Sequence, residues 1–476
     1  MRTLSLIILC LLAQRGPSAR PRVVSELTQL LGRPTGQSIA LSVLAPDELE
    51  VQVEYGLQSG TYTEKTKPVR IPATTPHEIE ITRLAPDTQY FYRLNQRRRG
   101  ESVFTSGPGY SFHTRRASGS SFTFDVQGDS HPERPDRMYN PALYRRTLQG
   151  VESDRPDFYF TLGDDFNVDP LFNRNTLNAD TVSQLYINQR GFLGLVGRSA
   201  PLFLVNGNHE QAAAALLDGT PESVPVLAGR ARNLYYPLPE PNGFYTGDPE
   251  LVGHLGLRRD YYSFTWGDAL FVTLDPYWHS PVQVDEGIGG RGGRGSGAAP
   301  RNRDGWAVTM GDAQYQWLRE TLRTSQAKYK FVFAHHVNGT GRGAVEIADL
   351  FEWGGRNRRG EWEFVAKRPG WEMPVHQLMA KYGVTIFFQG HDHLFARQEK
   401  DGVTYQETPN PADASYTAFN REAYTSGDVL PNAGHLRVSV TPGGVRVDYI
   451  RAWLPADENA EHRNGETAFT YTVRPK

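Results

Sequence analysis

The chain has 476 residues, and 51 Lys and Arg stand against 53 Asp and Glu, so its formal net charge is −2 at pH 7. This near-balance excludes a nucleic-acid binder that works through bulk positive charge, and no specific nucleic-acid partner is expected. The apolar fraction of 38% excludes general disorder. At roughly 100–200 residues per domain, the length predicts two or three domains.

The first residues have the pattern of a secretory signal. Leu4–Ala13 is almost wholly apolar, too short to span a bilayer but typical of a signal's apolar region. The small residues Ser18-Ala19 offer a cleavage point, so we predict a signal peptide at 1–19 and a secreted or periplasmic protein. Cleavage would remove Cys10, the only cysteine, and exclude disulfides and thiol catalysis. No later stretch is long and apolar enough to predict a membrane span.

Residues 22–115 predict an all-β sandwich. Ile39, Leu41 and Val43 alternate with smaller or polar residues, which is the pattern of a half-buried strand. The segment 84–92, Leu-Ala-Pro-Asp-Thr-Gln-Tyr-Phe-Tyr, resembles the turn and following strand of fibronectin type III domains. We interpret this region as a spacer or packing module without chemistry of its own.

From residue 118 to 455 the pattern changes to an α/β domain. Continuous apolar runs alternate with helical ones, which is typical of strands buried between helix layers. Helices are predicted to begin near Asp312 and at Pro374. The glycine- and arginine-rich stretch Gly287–Gly305 is interpreted as a surface loop rather than a lid over the substrate. Residues 456–476 are predicted to form a C-terminal extension.

Polar residues able to bind metal follow five apolar strands of this domain. The five motifs are Gly128-Asp129-Ser130-His131, Gly163-Asp164-Asp165, Asn206-Gly207-Asn208-His209-Glu210, His335-His336 and Gly390-His391-Asp392-His393. In α/β folds, sites form just outside the carboxyl ends of strands, so we expect these ends to converge. Imidazole and carboxylate together suit Zn, Fe or Mn, and the absence of thiolates disfavours a structural zinc site. One such motif is weak, but five in this order predict a site for two metal ions.

The order of these motifs resembles that of the calcineurin-like metallophosphoesterase superfamily. With a β-sandwich in front, the chain is most similar to the purple acid phosphatase branch and its bacterial relatives. The resemblance covers nearly all of the mature chain. It implies a fibronectin III-like all-β domain, followed by an α/β domain in which two mixed β-sheets pack face to face and are flanked by helices.

The resemblance also implies a role for each site residue. Asp129, His131 and His393 would hold the first metal, Asn208, His335 and His391 the second, and Asp164 would bridge both; His209 would be the catalytic acid. One position departs from the purple phosphatases, which place a tyrosine three residues after the bridging aspartate. Here that position is Asn167, so neither a ferric tyrosinate nor a purple colour is expected.

The function implied is hydrolysis of a small-molecule phosphate ester by a hydroxide held between two divalent or trivalent metal ions (Fe, Zn or Mn). Phosphomonoesters are favoured, with a phosphodiesterase or nucleotide-processing hydrolase as the alternative. A non-catalytic adhesion or binding protein is a further alternative, which the full ligand set disfavours. A zinc peptidase is disfavoured because the chain has no His-Glu-x-x-His.

Three further residues are weaker candidates for substrate binding. His336 directly follows a predicted ligand and would contact the phosphate or merely pack in the next turn. Asn338 and Arg342 would help to bind oxyanions, since guanidinium suits phosphate, or would belong to a solvated loop. Asp392 would orient a neighbouring imidazole or face solvent. The sequence leaves the natural substrate, the metal identities and the oligomeric state open.

Overall fold

The computed structural model describes residues 22–210, 213–281, 304–339 and 341–475. The predicted signal peptide and nearly all of the Gly287–Gly305 stretch lie outside these residues. Among the described residues, no helix combines the length and the hydropathy that a membrane crossing requires.

The N-terminal region is built from strands alone. They are β1 (Thr28–Gly32), β2 (Ser38–Leu44), β3 (Leu49–Gly56), β4 (Glu64–Lys65), β5 (Val69–Ile71), β6 (His77–Thr82), β7 (Gln89–Arg98) and β8 (Thr105–His113). One sheet has the order β1-β2-β6, and the other has β4-β3-β7-β8 with β5 beside β3. Alternate residues such as Leu41 and Val53 point between the sheets and form one buried core. The predicted β-rich region is confirmed, and its likeness to fibronectin type III stays a prediction.

The rest of the chain is an α/β domain. Its strands are β9 (Phe122–Gln127), β10 (Tyr159–Thr161), β11 (Leu202–Leu204), β12 (Thr246–Gly247), β13 (Leu251–Val252), β14 (Gly256–Leu257), β15 (Tyr262–Trp266), β16 (Ala269–Thr273), β17 (Tyr329–Phe333), β18 (Ile386–Gln389), β19 (Phe395–Lys400), β20 (Val403–Glu407), β21 (Asp428–Leu430), β22 (Gly434–Thr441), β23 (Gly444–Arg451) and β24 (Thr467–Val473). Its helices are α1 (Pro141–Asp154), α2 (Asp169–Asn173), α3 (Ala179–Gly197), α4 (Val224–Tyr235), α5 (Gly311–Thr324), α6 (Phe351–Gly354), α7 (Phe364–Lys367) and α8 (Val375–Lys381). The helices predicted near Asp312 and Pro374 are therefore α5 and α8.

Two large mixed sheets form the centre of this domain, as predicted. The first has the order β11-β10-β9-β22-β23-β24, and the second β12-β15-β16-β17-β18-β20-β19-β21. The strands β9, β10 and β11 run parallel, as do β16, β17, β18 and β20, whereas β22 and β15 pair antiparallel with their neighbours. Because parallel strands end at the same edge, each sheet brings the residues after several strands together there.

Stacked phenylalanines join the two sheets. Phe160 of the first sheet lies against Phe333 of the second with ring centroids 4.1 Å apart and the planes nearly parallel. Residues on the other face of the first sheet pack on α1, α3 and α4, and those of the second sheet pack on α5, α6 and α8. The central strands of both sheets are buried on both faces, and this explains why their sequences are continuous apolar runs.

The segment 456–476, predicted as an extension, contributes to the domain itself. Its strand β24 pairs antiparallel with β23 along Val445–Ile450 and extends the first sheet. Thr467–Val473 lies at the edge of the sheet, and its residues are exposed or half buried. Such a strand has few buried apolar residues to mark it as part of the domain in the sequence.

The N-terminal region is fastened to the α/β domain through a buried arginine. Arg190 of α3 is fully buried and donates hydrogen bonds to the hydroxyls of Thr28 and Ser42 and to the Ser42 carbonyl. Tyr92 of the other sheet donates to the Arg198 carbonyl at 2.7 Å. Both sheets of the N-terminal region therefore hold the outer face of the helix layer.

Candidate metal centre

The first half of the site consists of His131, His393 and Asp129, which follow β9 and β18. The Nε2 atoms of the two imidazoles face each other at 3.1 Å, and Asp129 Oδ2 lies 3.1 Å from His393 Nε2. All three side chains are at least 96% buried. Three potential ligand atoms thus point at one position, and they belong to the residues that the family resemblance assigns to the first metal.

The second half consists of Asn208, His335 and His391, which follow β11, β17 and β18. His335 Nε2 lies 2.9 Å from Asn208 Oδ1 and 3.3 Å from His391 Nδ1. The other nitrogen of His335, Nδ1, donates a hydrogen bond to the Leu162 carbonyl at 2.7 Å. Nε2 is therefore the nitrogen directed into the site.

Asp164 lies between the two halves. Its Oδ2 is 3.6 Å from His131 Nε2 and 3.3 Å from His335 Nε2. Its Oδ1 is turned away and accepts a hydrogen bond from the His209 amide. Asp129 is held in the same way, since its Oδ1 accepts from the His391 amide at 2.8 Å. Each carboxylate thus has one oxygen bound to a backbone amide and the other directed into the site. Asp164 lies between the two halves of the site, in the position of a carboxylate that bridges two metal ions.

The donor set fits cations. Oxygens of Asn208 and Asp164 face His335 Nε2 across 2.9 Å and 3.3 Å, a spacing at which a proton or a metal ion is needed between the groups. Burial lowers the pKa of His335, but the charges of Asp164 and Asp129 outweigh it and raise the pKa to about 10. The cavity therefore strongly favours positive charge, which two metal ions would supply.

The loops that carry the ligands are strained and braced. His131, Asp164, His391 and His393 all have φ between 48° and 77°, a region that non-glycine residues rarely adopt. Glu210 braces the Asp164 loop, because its carboxylate accepts hydrogen bonds from the amides of residues 164, 165, 166 and 207. Such an arrangement sets ligand positions before any metal binds.

His209 lies beside His131 and Asp164, and one of its ring nitrogens is within 4.8 Å of their ligand atoms. Its Nδ1 donates to the Asp169 carboxylate, and its Nε2 lies 3.9 Å from Asp164 Oδ2 and 3.1 Å from an Arg134 nitrogen. The imidazole is 18% exposed, whereas the ligands around it are almost fully buried. Sequence reasoning missed Asp169 and Arg134, because neither belongs to a motif.

Glu133 orients His131. Its Oε1 accepts hydrogen bonds from His131 Nδ1 at 2.9 Å and from the Asn167 amide at 2.8 Å. Burial opposes ionisation of Glu133, but His131 and Arg134 outweigh it and lower its pKa to about 2. Asn167 stands where purple phosphatases have a tyrosine. Its side-chain amide therefore donates to Glu133, the carboxylate that orients His131. Glu133 was also missed by sequence reasoning, although it lies only two residues beyond His131.

His336 lies beside the second half of the site. Its ring stacks on His391 with centroids 4.1 Å apart, and its Nδ1 is 2.6 Å from the Tyr277 hydroxyl. Burial, followed by the charge of His335, lowers its pKa well below the ordinary value. A neutral imidazole in this position has a hydrogen-bonding edge close to the metal ligands.

The structure gives Asn338 and Asp392 roles other than those expected. The Asn338 amide donates to the Ile347 carbonyl and accepts from the Trp353 amide, so it fastens a loop rather than binding substrate. Among the described residues, the Asp392 carboxylate accepts hydrogen bonds from Arg342 at 2.9 Å, from the Gly343 amide at 2.7 Å and from the Tyr424 hydroxyl at 2.7 Å. Arg342 also donates to the His391 carbonyl, which keeps its guanidinium next to the site.

The sequence model of calcineurin-like phosphoesterases matches residues 122–395, more than half of the chain and every residue of the site. The chain belongs to the calcineurin-like phosphoesterase family. It is therefore a metal-dependent phosphoester hydrolase, and the clusters described above fit the family's dinuclear metal centre. A search of curated proteins found no match.

Among the solved structures that resemble this chain, a structure of PhoD shows the same fold. A structure of PhoD has a TM-score of 0.63 with this phosphoesterase at 16% identity, covering 96% of this chain and 92% of that one. GAP50, the anchor in the inner membrane complex of Plasmodium, has a TM-score of 0.37 at 12% identity, covering 75% and 89%. The phosphopantetheinyl hydrolase PptH from Mycobacterium tuberculosis has a TM-score of 0.29 at 13% identity, covering 62% and 91%. At these identities the PhoD likeness establishes the fold alone.

Proposed function

We propose that this phosphoesterase hydrolyses phosphate monoesters outside the cytoplasm, with His209 as the proton donor to the leaving group. The proposal rests on the position of His209, which is held by Asp169 beside the metal centre and is more exposed than Asp164 and His131. Two bound cations would supply Lewis acidity and lower the pKa of water. The chain then has to position the ester and deliver a proton to the departing oxygen.

Two arginines favour a monoester over a diester. Arg134 lies beside His209 and Arg342 beside His391, so each half of the metal centre has one guanidinium near it. A phosphate monoester carries about two negative charges near pH 7, whereas a diester carries about one. Two guanidinium groups in addition to the metals therefore match a dianion better.

The test compares p-nitrophenyl phosphate with bis(p-nitrophenyl) phosphate across pH, with metal content measured alongside. We expect a higher kcat/KM for the monoester. Arg134→Gln and Arg342→Gln should each reduce kcat/KM for the monoester by about tenfold, and reduce it less for the diester. Arg323→Gln, an exposed arginine of α5, is the matched control.

A higher kcat/KM for the diester, with equal effects of both variants on the two substrates, would assign the protein to phosphodiesterases instead. Export is tested separately by expressing the full chain in a bacterial host and sequencing the mature N-terminus. We expect the mature protein outside the cytoplasm, beginning near residue 20. An uncleaved cytoplasmic product would contradict export.

A further inference from the structure

A second group of metal-binding side chains lies on the other face of the first sheet, under helix α1. It consists of Asp125 of β9, Asp154 at the end of α1 and His435 of β22. The side chains at 122, 124 and 126 enter the core between the sheets, so Asp125 faces the helices instead. The dinuclear centre lies beyond the carboxyl end of β9, whereas Asp125 lies within β9. The group of Asp125, Asp154 and His435 therefore shares no residue with the dinuclear centre.

The geometry points to a third metal site. His435 Nε2 is 2.9 Å from Asp154 Oδ2 and 3.6 Å from Asp125 Oδ2, and the three ligand atoms lie within 4.8 Å of one another. In a tetrahedral zinc site with bonds of about 2.0–2.2 Å, ligand atoms lie roughly 3.3–3.5 Å apart. We propose that Asp125, Asp154 and His435 bind one zinc ion, with water as a fourth ligand.

Asp125 carries this inference. Its side chain is fully buried, and neither carboxylate oxygen has a hydrogen-bond donor among the described residues; its Oδ2 faces His435 Nε2 at 3.6 Å, and the Asp154 carboxylate is close enough to share a proton with it. Burial, followed by repulsion from Asp154, raises its pKa well above the ordinary value. A buried carboxylate without partners is costly unless a cation or a proton neutralises it.

The neighbouring groups leave the position open to a cation. Arg437 donates to Asp154 Oδ1 at 2.8 Å, so Oδ2 is the oxygen directed at His435. The Arg437 guanidinium also donates to Asp448, so the positive charge of Arg437 is divided between Asp154 and Asp448. Asp448 in turn binds Arg446. The Asp154 side chain is 12% exposed, whereas Asp125 is fully buried, and this side gives a metal ion a route from solvent.

Local sequence brings the helix close to the ligands. A Cβ at Gly150, one turn before Asp154, would lie 3.1 Å from His435 Cε1. Glycine inside a helix costs about 0.5–1 kcal/mol relative to alanine, so its presence here fits a close approach of α1 to the imidazole. The ligands come from residues 125, 154 and 435, and a bound ion would join α1 to two strands that are distant in sequence.

The experiment uses the full-length, zinc-loaded enzyme and counts zinc per chain by mass spectrometry. Asp125→Asn and His435→Gln should each contain one zinc fewer than wild type while retaining hydrolysis, because neither residue touches the dinuclear centre. Asp448→Asn, a buried carboxylate next to the group but outside it, is the matched control and should retain the full complement. Crystals measured at the zinc absorption edge should show an anomalous peak between the three ligands.

Equal zinc content in wild type and both variants, with no anomalous peak beside His435, would overturn the proposal and assign a shared proton to the two carboxylates. Should one variant fail to fold, the other and the wild-type crystal still decide. The dinuclear centre is tested independently, because its two ions and its activity remain in the Asp125→Asn protein.

Discussion

Asp169 accepts a hydrogen bond from Nδ1 of His209, and this contact fixes which nitrogen of His209 is directed at the metal centre. Nε2, 3.9 Å from Asp164 Oδ2, is the nitrogen that faces the metal centre, and in this structure it accepts a hydrogen bond from Arg134. The carboxylate therefore orients the ring. Asp169 is thus a positioning residue that acts through His209.

Asp169→Asn is expected to slow hydrolysis of alkyl phosphates by about 10–100-fold, since general acid catalysis contributes about 10²–10⁴-fold and the variant retains the imidazole. Metal content should not change, because Asp169 is not among the ligands. The loss should be smaller on aryl phosphates, whose leaving oxygens need little protonation. Equal losses on both ester types would mean that Asp169 serves only the structure of the loop.

A second prediction separates proton donation from metal binding. His209→Ala should retain both metals but lose about 10²–10⁴-fold in turnover on alkyl esters, and less on aryl esters, whose leaving oxygens need little protonation. His391→Ala, by contrast, should lose metal and fail on both ester types. Metal loss in the His209 variant, or equal losses on both ester types, would contradict its role as an acid.

The sequence predicted much of this site because each ligand directly follows an apolar strand. Parallel strands of one sheet bring such positions to one edge, which places Asp129 with Asp164; His335 follows a strand of the second sheet and joins them because the two sheets pack face to face. The roles of Glu133 and Asp169 depend on where the loops after β9 and β10 turn. Positive φ at His131 and Asp164 sets those turns, and residue spacing does not encode it.

Residue spacing also does not encode where the loops after the other strands turn, and this explains why Asn338 and Asp392 have other roles than expected. Asn338 and Asp392 lie next to ligands in sequence, but their side chains turn to Trp353 and Tyr424 and brace loops. The edge strand β24 was missed as part of the domain because its half-exposed residues resemble a solvated tail. Proximity in sequence thus predicted ligands well and their supporting residues poorly.

The third prediction concerns the bridge. Asp164→Ala removes the carboxylate that lies 3.3–3.6 Å from ligands of both halves. We expect loss of at least one metal per chain and of nearly all hydrolysis, as measured by metal analysis and turnover. Asp218→Ala, an exposed carboxylate on a loop, should leave both unchanged. Full metal content and turnover in the Asp164 variant would refute the bridge.

The fourth prediction concerns colour. Asn167 donates to Glu133 where a tyrosinate ligand would otherwise stand, so the iron-loaded protein should show no strong visible tyrosinate-to-iron absorption. An absorption spectrum of the iron-loaded protein checks this. A strong band would mean that another phenol, such as Tyr277 beside His336, reaches the metal.

The fifth prediction is the acid dependence that Glu133 gives the metal-free protein. Its pKa is lowered from 4.5 to about 2 in the folded state, so its stabilising effect is present above about pH 4.5 and is lost as pH falls towards 2. A shift of this size corresponds to roughly 3 kcal/mol of unfolding free energy. In urea titrations, the difference between wild type and Glu133→Gln should grow as pH falls through the pKa of His131, which burial lowers but Glu133 raises above 6.5, and should shrink below about pH 4.5. A difference that does not change with pH would show that Glu133 stabilises the fold through packing and neutral hydrogen bonds, and not through its charge beside His131 and Arg134.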